Sequence, residues 1–120
     1  MLMQLDFSSE VPIYRQIRDQ IVLCIAGGYL LAGDKLPTVR ALANETGVNV
    51  MTISKAYLLL KQEGYIATER RGGTVVAGCT AAISTDETLA GLRLAAASTK
   101  LAGLSRDEWL KLCGTAYDGL

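Results

Sequence analysis

The sequence lacks histidine altogether and has only three cysteines among its 120 residues. Histidine is the side chain that proteins use most often as a general base, a proton shuttle or a metal ligand, so its absence argues against an enzyme. Cys24, Cys79 and Cys113 are too widely spaced for a C-x-x-C metal motif, and we expect small buried hydrophobic residues rather than redox sensors. A glycine-rich phosphate loop and a nucleophile elbow are also missing. The sequence therefore predicts no catalytic residues, no metal ligands and no cofactor.

Long apolar runs and a targeting signal are missing too. No run approaches the roughly 18 residues that a membrane-spanning helix needs. Residues 1–10 lack a basic region followed by an apolar one, which is the pattern of a secretory signal. These absences predict a cytoplasmic protein without membrane contacts.

The chain has no excess of charge, with 12 basic and 12 acidic side chains. Overall charge therefore does not indicate nucleic-acid binding, and any positive potential must be concentrated on one face. Half of the residues are hydrophobic, and the mean hydropathy is +0.26. This composition leaves two interpretations open: a second copy of the chain covers apolar surface, or the protein is simply rich in alanine and leucine.

Three helices are predicted in the first two-thirds of the chain. Pro12 opens the first, four isoleucines spaced four residues apart share one of its faces, and Gly27-Gly28 ends it. The second runs from about Val39 to Glu45, with Thr38 as its N-cap. The third runs from about Val50 to Glu63, with Asn49 as its N-cap. The inward-facing positions are predicted to be Leu42 and Ala43 in the second helix and Ile53, Ala56, Tyr57 and Leu60 in the third.

The short connection between the second and third helices is typical of a helix-turn-helix. Only Thr46-Gly47-Val48 separates them, and Gly47 suits a left-handed helix end. After Gly64 the hydrophobic period changes from 3.6 to 2. This change predicts strands at 65–69 and 74–77 around the turn Arg70-Arg71-Gly72-Gly73. A hairpin with a basic, glycine-rich tip in this position is a wing.

The remainder of the chain predicts a helical hairpin. Ser84 with Glu87 and Ser105 with Glu108 fit two capping boxes, which would open helices ending near Ala102 and near the end of the sequence. The fold class is thus mainly α with a small β-hairpin. A winged helix-turn-helix, residues 1–78, is followed by a helical tail, residues 79–120. The tail hairpin needs a partner surface, supplied either by its own head domain or by a second protomer.

The sequence resembles the GntR family of bacterial regulators over about residues 10–78. The resemblance lies in the stretches 12–17, 28–43, 47–53 and 63–66, among them Leu36-Pro37-Thr38-Val39-Arg40 and Glu63-Gly64-Tyr65-Ile66, and in Ala56-Tyr57 with Leu60. The short tail is similar to that of the YtrA subfamily, which dimerises through two helices. The family commonly has Arg or Pro where Val50 stands, and Gly-x-Gly at the wing tip. These departures bear on which operator is recognised.

The resemblance and the helix-turn-helix placement together predict the DNA contacts. Arg40 is the side chain most expected to reach DNA, since its guanidinium can read guanine or clamp phosphate; pairing with Glu45 on the surface is the alternative. Asn49 could serve only as a cap, Val50 could pack inside, and the cations could simply be solvated. The predicted DNA-binding residues are Thr38, Arg40, Asn49, Val50, Met51, Thr52, Ser54, Lys55, Arg70, Arg71, Gly72 and Gly73.

The predicted function is a sequence-specific, double-stranded DNA-binding regulator, acting as a homodimeric repressor on an inverted repeat. The resemblance adds a transporter-type operon. A small-molecule effector is also expected, and because the tail is too small to enclose a pocket alone, its expected place is a cleft between tail and head. An interaction module without DNA binding and a fragment of an aminotransferase-fused relative are the alternatives. Tyr14, Tyr57 and Tyr65 are expected in the core, and Trp109 in the tail's packing. The predicted dimerisation residues are Leu89, Leu92, Ala96, Trp109, Leu112, Cys113 and Ala116.

Overall fold

The computed structural model describes residues 3–78 and 85–120, with side chains in the second range from residue 86. The chain divides into two compact units, residues 1–81 and 82–120. The predicted division after residue 78 lies close to this boundary. None of the described helices is long and apolar enough to cross a bilayer.

Three helices of the first unit enclose its core. They are α1 (Ile13–Ala26), α2 (Val39–Thr46) and α3 (Val50–Gln62). The predicted inward faces of α2 and α3 are all buried, and Ile17 and Ile21 of α1 pack beside them. Of the four isoleucines in α1, Ile13 and Ile25 are only partly buried, at the ends of the stripe. This core fixes α3 against both other helices and leaves its opposite face exposed.

Local capping determines where α2 begins and ends and where α3 begins. The Thr38 hydroxyl accepts a hydrogen bond from the Ala41 amide at 3.0 Å. Gly47, at φ 72°, ends α2 in the left-handed conformation that its missing Cβ permits. The Asn49 side chain then accepts from the Met51 amide at 2.7 Å and begins α3. The predicted caps are confirmed, and the helix ends lie one residue from the predicted ones.

The wing contains a pairing that the sequence did not predict. β1 (Ile66–Thr68) and β2 (Thr74–Val76) are antiparallel, with Ala67 opposite Val75, and both are shorter than predicted. Residues 33–36 run along the free edge of β2. The Gly33 amide donates to the Val76 carbonyl at 2.9 Å, and the Leu36 amide donates to that of Thr74 at 2.8 Å. Residues 33–36 therefore join the wing to the approach to α2.

The second unit consists of α4 (Thr85–Leu101) and α5 (Arg106–Asp118), which pack against each other. The predicted capping box at the start of α5 is present: Ser105 Oγ accepts from the Glu108 amide and Glu108 Oε1 accepts from the Ser105 amide. The predicted box at Ser84 lies outside the described residues. So does Cys79. Cys24 and Cys113 are half-buried, which corrects the expectation that they are buried.

Candidate nucleic-acid interface

The exposed side of α3 carries polar and apolar groups at its N-terminal end. Val50 and Met51 are both exposed, Met51 at 76% of its surface, so neither packs inside. The Lys55 side chain is exposed, while Thr52 and Ser54 are half-buried and present hydroxyl groups at the helix surface. Asn49 is exposed even though its side chain caps the helix. Hydroxyl and amide groups can bond to base edges or phosphates, and methyl or thioether groups can contact a thymine methyl.

Contacts with the segment before α2 hold α3 in place. Tyr57 is buried in the core, and its hydroxyl donates to the Pro37 carbonyl at 2.7 Å. Burial raises the pKa of Tyr57 to about 12, and the charge of Glu45 adds to the shift. The hydroxyl therefore stays protonated and keeps donating to Pro37. Since Pro37 immediately precedes the Thr38 cap, this bond couples the position of α3 to the start of α2.

The start of α2 presents Arg40 to solvent. Its side chain is exposed, one turn into the helix. Thr38 is also exposed, and its hydroxyl accepts the Ala41 amide at the positive end of the helix. An exposed guanidinium can donate two parallel hydrogen bonds to guanine or phosphate oxygens.

The wing tip is a tight turn with two exposed arginines. The Gly72 amide donates to the Glu69 carbonyl at 2.9 Å, and the Glu69 amide donates back to Gly73 at 2.6 Å. Gly72 has φ 84°, a conformation that favours glycine. Gly73 is half-buried within the turn. Arg70 and Arg71 are exposed in this turn, as is the neighbouring Glu69. Their guanidinium groups can meet a nucleic-acid backbone.

Arg18 is a basic side chain with a structural role. Its guanidinium donates two hydrogen bonds to Glu63, at 2.7 and 2.9 Å, and one to Asp19 at 2.9 Å. The bonds to Glu63 raise the pKa of Arg18 above its ordinary value. This partly buried pair fastens the end of α3 to α1. Positive charge at the candidate surface therefore comes from Arg40, Lys55 and the wing arginines.

Tyr14 and Tyr65 are less buried than the sequence predicts. The sequence places both in the core together with Tyr57. Tyr57 is buried, but Tyr14 and Tyr65 are half-buried at the edge of the core. The Tyr14 ring lies 4.1 Å from Lys55 Nζ and forms one wall of a shallow groove of about 530 Å³, lined by Tyr14, Met51, Thr52, Ser54, Lys55 and Leu58. Its place in the first turn of α1 matches the partial burial of Ile13 beside it.

The predicted dimerisation residues lie on two helices without a buried core. Of the side chains described from residue 86 onward, none is buried. Large apolar groups remain exposed, including Leu94 at 74% and Leu101 at 89%. The predicted residues divide into a half-buried group, Ala96, Trp109 and Cys113, and an exposed group, Leu89, Leu92, Leu112 and Ala116.

Metal-binding geometry is not found among the described residues. They contain no group of three or more histidine, cysteine, aspartate or glutamate side chains that could hold an ion.

Comparison with known families bears directly on the helix-turn-helix. Residues 13–76, just over half of the chain, match the family described as "Bacterial regulatory proteins, gntR family". The chain belongs to the GntR family. The matched residues begin with α1 and end with β2, so they include every element of the candidate surface.

Relatives within the GntR family support the YtrA-like subfamily. The HTH-type transcriptional repressor YtrA of Bacillus subtilis is 44% identical over 75 residues, which are 62% of this chain and 58% of that protein. A structure described as YtrA from Sulfolobus acidocaldarius, a GntR-family transcription factor, is 35% identical with a TM-score of 0.61, and 98% of each chain is covered. The chain spans 58–59% of the first curated relatives that it matches.

Two further solved structures bear on the fold and on the candidate surface. One, described as a transcriptional antiterminator from Listeria monocytogenes EGD-e, is 32% identical with a TM-score of 0.80, covering 97% of this chain and 90% of its own. The other is the AraR DNA-binding domain in complex with operator ORR3; it is 34% identical with a TM-score of 0.51, covering 64% of this chain and 95% of its own. The predicted winged helix-turn-helix fold is confirmed by these likenesses.

Proposed function

We propose that the protein is a sequence-specific regulator that binds double-stranded operator DNA through the first turns of α3, the start of α2 and the wing tip. The proposal rests on the contrast between the two faces of α3. One face is locked in the core and bonded to Pro37, while the other exposes Met51 and Lys55 at its start. The AraR domain, which resembles this unit, is described in complex with operator DNA.

The predicted contacts divide into two roles. Asn49, Val50, Met51, Thr52 and Ser54 lie at the start of α3, where a recognition helix meets base edges. We assign contacts beside that end to the remaining predicted residues, which are Thr38, Arg40, Lys55, Arg70, Arg71, Gly72 and Gly73. The positively charged side chains among them attract DNA phosphates. The Arg40 guanidinium can in addition donate two hydrogen bonds to the major-groove edge of guanine.

We also propose that the protein acts as a homodimer formed through its tail. Hydrophobic side chains that remain exposed on two packed helices favour association, because burying them removes apolar surface from water. A two-fold dimer would recognise an inverted repeat, with half-sites about one helical turn apart or a multiple of it.

The finer regulatory features are extensions of the same proposal. Repression is supported by the description of the Bacillus subtilis relative as a transcriptional repressor. Modulation by a small-molecule effector, control of a transporter-type operon and cytoplasmic location are supported by the family resemblance. No enzymatic step belongs to the proposal.

Selection from a random duplex library tests sequence specificity and symmetry together. The purified full chain is mixed with duplexes carrying a randomised central region, and bound molecules are recovered and sequenced over successive rounds. We expect enrichment of two half-sites related by a dyad. Enrichment of a single half-site would contradict the dimeric mode, and a library that stays random would contradict sequence-specific binding.

A further inference from the structure

We propose that Tyr14 is a positioning residue for DNA binding, whose ring holds the Lys55 ammonium group at the edge of α3 where it meets a DNA phosphate. The proposal rests on the DNA-binding function proposed above. It assigns a role to a side chain on a different helix from the residue that makes the contact.

The first argument is the geometry of the pair. Lys55 Nζ lies 4.1 Å from the centre of the Tyr14 ring, within the roughly 6 Å at which a cation is attracted to the ring face. Lys55 is exposed, so its ammonium group remains accessible to a phosphate. The contact therefore orients the cation without burying it.

The second argument is that packing against the core holds the Tyr14 ring, whereas the Lys55 side chain without that ring would be free to move. Tyr14 is half-buried and packs against the core. A lysine stem has many rotamers, and ordering them opposes binding. A rigid ring that confines the stem beforehand reduces that cost.

The third argument comes from the contrast with the other cation–ring pair. Arg18 lies 5.6 Å from the Tyr65 ring, but its guanidinium is already bonded to Glu63 and Asp19. That pair stabilises the junction of α1 and α3. The Tyr14–Lys55 pair lies instead beside Thr52 and Ser54, on the groove at the start of α3.

A double-mutant cycle tests the coupling. The proteins are wild type, Tyr14→Leu, Lys55→Met and the double variant, each titrated by fluorescence anisotropy against a labelled mixed-sequence duplex of about 25 base pairs at several low salt concentrations. The slope of log affinity against log salt concentration should become shallower by about 0.9 in Lys55→Met, which is the value of one phosphate contact. Tyr14→Leu should weaken binding about threefold in the wild-type background and cause no further loss in the Lys55→Met background.

Two matched variants separate positioning from packing. Tyr14→Phe keeps the ring and should bind within twofold of wild type, whereas a loss equal to that of Tyr14→Leu would mean that the hydroxyl acts directly. Lys61→Met removes an exposed lysine six residues further along α3. Adding Tyr14→Leu to the Lys61→Met protein should still weaken DNA binding about threefold. If Tyr14→Leu weakened DNA binding equally in the wild-type and Lys55→Met backgrounds, the proposal would be overturned.

An NMR measurement on the free protein tests the contact between the Tyr14 ring and the Lys55 side chain in the absence of DNA. The ring should shift the Lys55 side-chain protons upfield, and Tyr14→Leu should abolish that shift. Absence of the shift in the wild type would overturn the proposal even if Tyr14→Leu failed to fold. Wild-type protein that binds no duplex would overturn the proposed function together with this inference, whereas binding without coupling would overturn this inference alone.

Discussion

Arg40 combines the features needed to read a base: exposure, a planar guanidinium and a place near the start of α2. We predict that Arg40→Ala weakens binding to the selected operator by about 1–3 kcal/mol and relaxes specificity at one base position. Arg40→Lys should keep the charge but lose the two parallel hydrogen bonds of the guanidinium. The dependence of affinity on salt concentration should therefore stay the same, while the preference for the operator sequence falls. Anisotropy on the operator and on duplexes altered at each position measures both effects. Unchanged affinity in a folded Arg40→Ala protein would remove Arg40 from the site.

Tyr57 makes the stability of the first unit sensitive to alkaline pH. Its pKa is raised from 10 to about 12, chiefly by burial. The folded protein therefore keeps the proton at a pH where the unfolded chain loses it. This contribution is complete below pH 10 and declines as pH rises towards 12, by roughly 2 kcal/mol.

Chemical denaturation from pH 8 to 12 measures that decline. Tyr57→Phe should be less stable at pH 8, because the hydrogen bond to Pro37 is lost, but should lose less stability as pH rises. Tyr29→Phe, which changes a side chain that is 84% exposed, should follow the wild-type profile. Parallel profiles for wild type and Tyr57→Phe would contradict this account.

At the scale of elements, the turn between α2 and α3 needs a left-handed backbone conformation at Gly47. Gly47 has φ 72°, and a Cβ added there would meet no atom within 4 Å. We predict that Gly47→Ala lowers the free energy of unfolding by about 1–2 kcal/mol through the strain of a left-handed residue. Gly47→Asn should cost less, since asparagine tolerates this conformation better. Gly78→Ala, also in open space and without a positive φ, serves as the control. Equal losses for all three would contradict the argument.

The helices and caps could be predicted from sequence because their signals are local. Thr38, Gly47, Asn49 and Ser105 each act on backbone groups within four residues, so pattern and position suffice. The pairing of residues 33–36 with β2 could not be predicted, because it joins segments about 40 residues apart and the sequence there is typical of a turn. The partial burial of Tyr14 could not be predicted for a related reason. Helical spacing indicates the core face, but not where along the helix the core ends.

At the scale of the whole molecule, the described tail has no buried side chain of its own. We predict that the protein sediments as a dimer and that Leu112→Glu converts it to a monomer, because a charge placed in an apolar interface is costly to desolvate. Leu23→Glu places the same charge on an exposed position of α1 and should leave the dimer intact. Analytical ultracentrifugation distinguishes these states. A monomeric wild type, or a dimeric Leu112→Glu, would contradict dimerisation through the tail.

The balanced composition of 12 basic and 12 acidic side chains makes DNA binding the claim most in need of a direct measurement. That measurement is an anisotropy titration of the full chain with a labelled duplex from the promoter of its own gene. A scrambled duplex of the same composition serves as the control, at two salt concentrations. We predict tight binding to the promoter alone, weakening as salt rises because counterions are released from neutralised phosphates. Equal binding to both duplexes, or affinity that does not change with salt, would contradict a sequence-specific regulator that uses these cations.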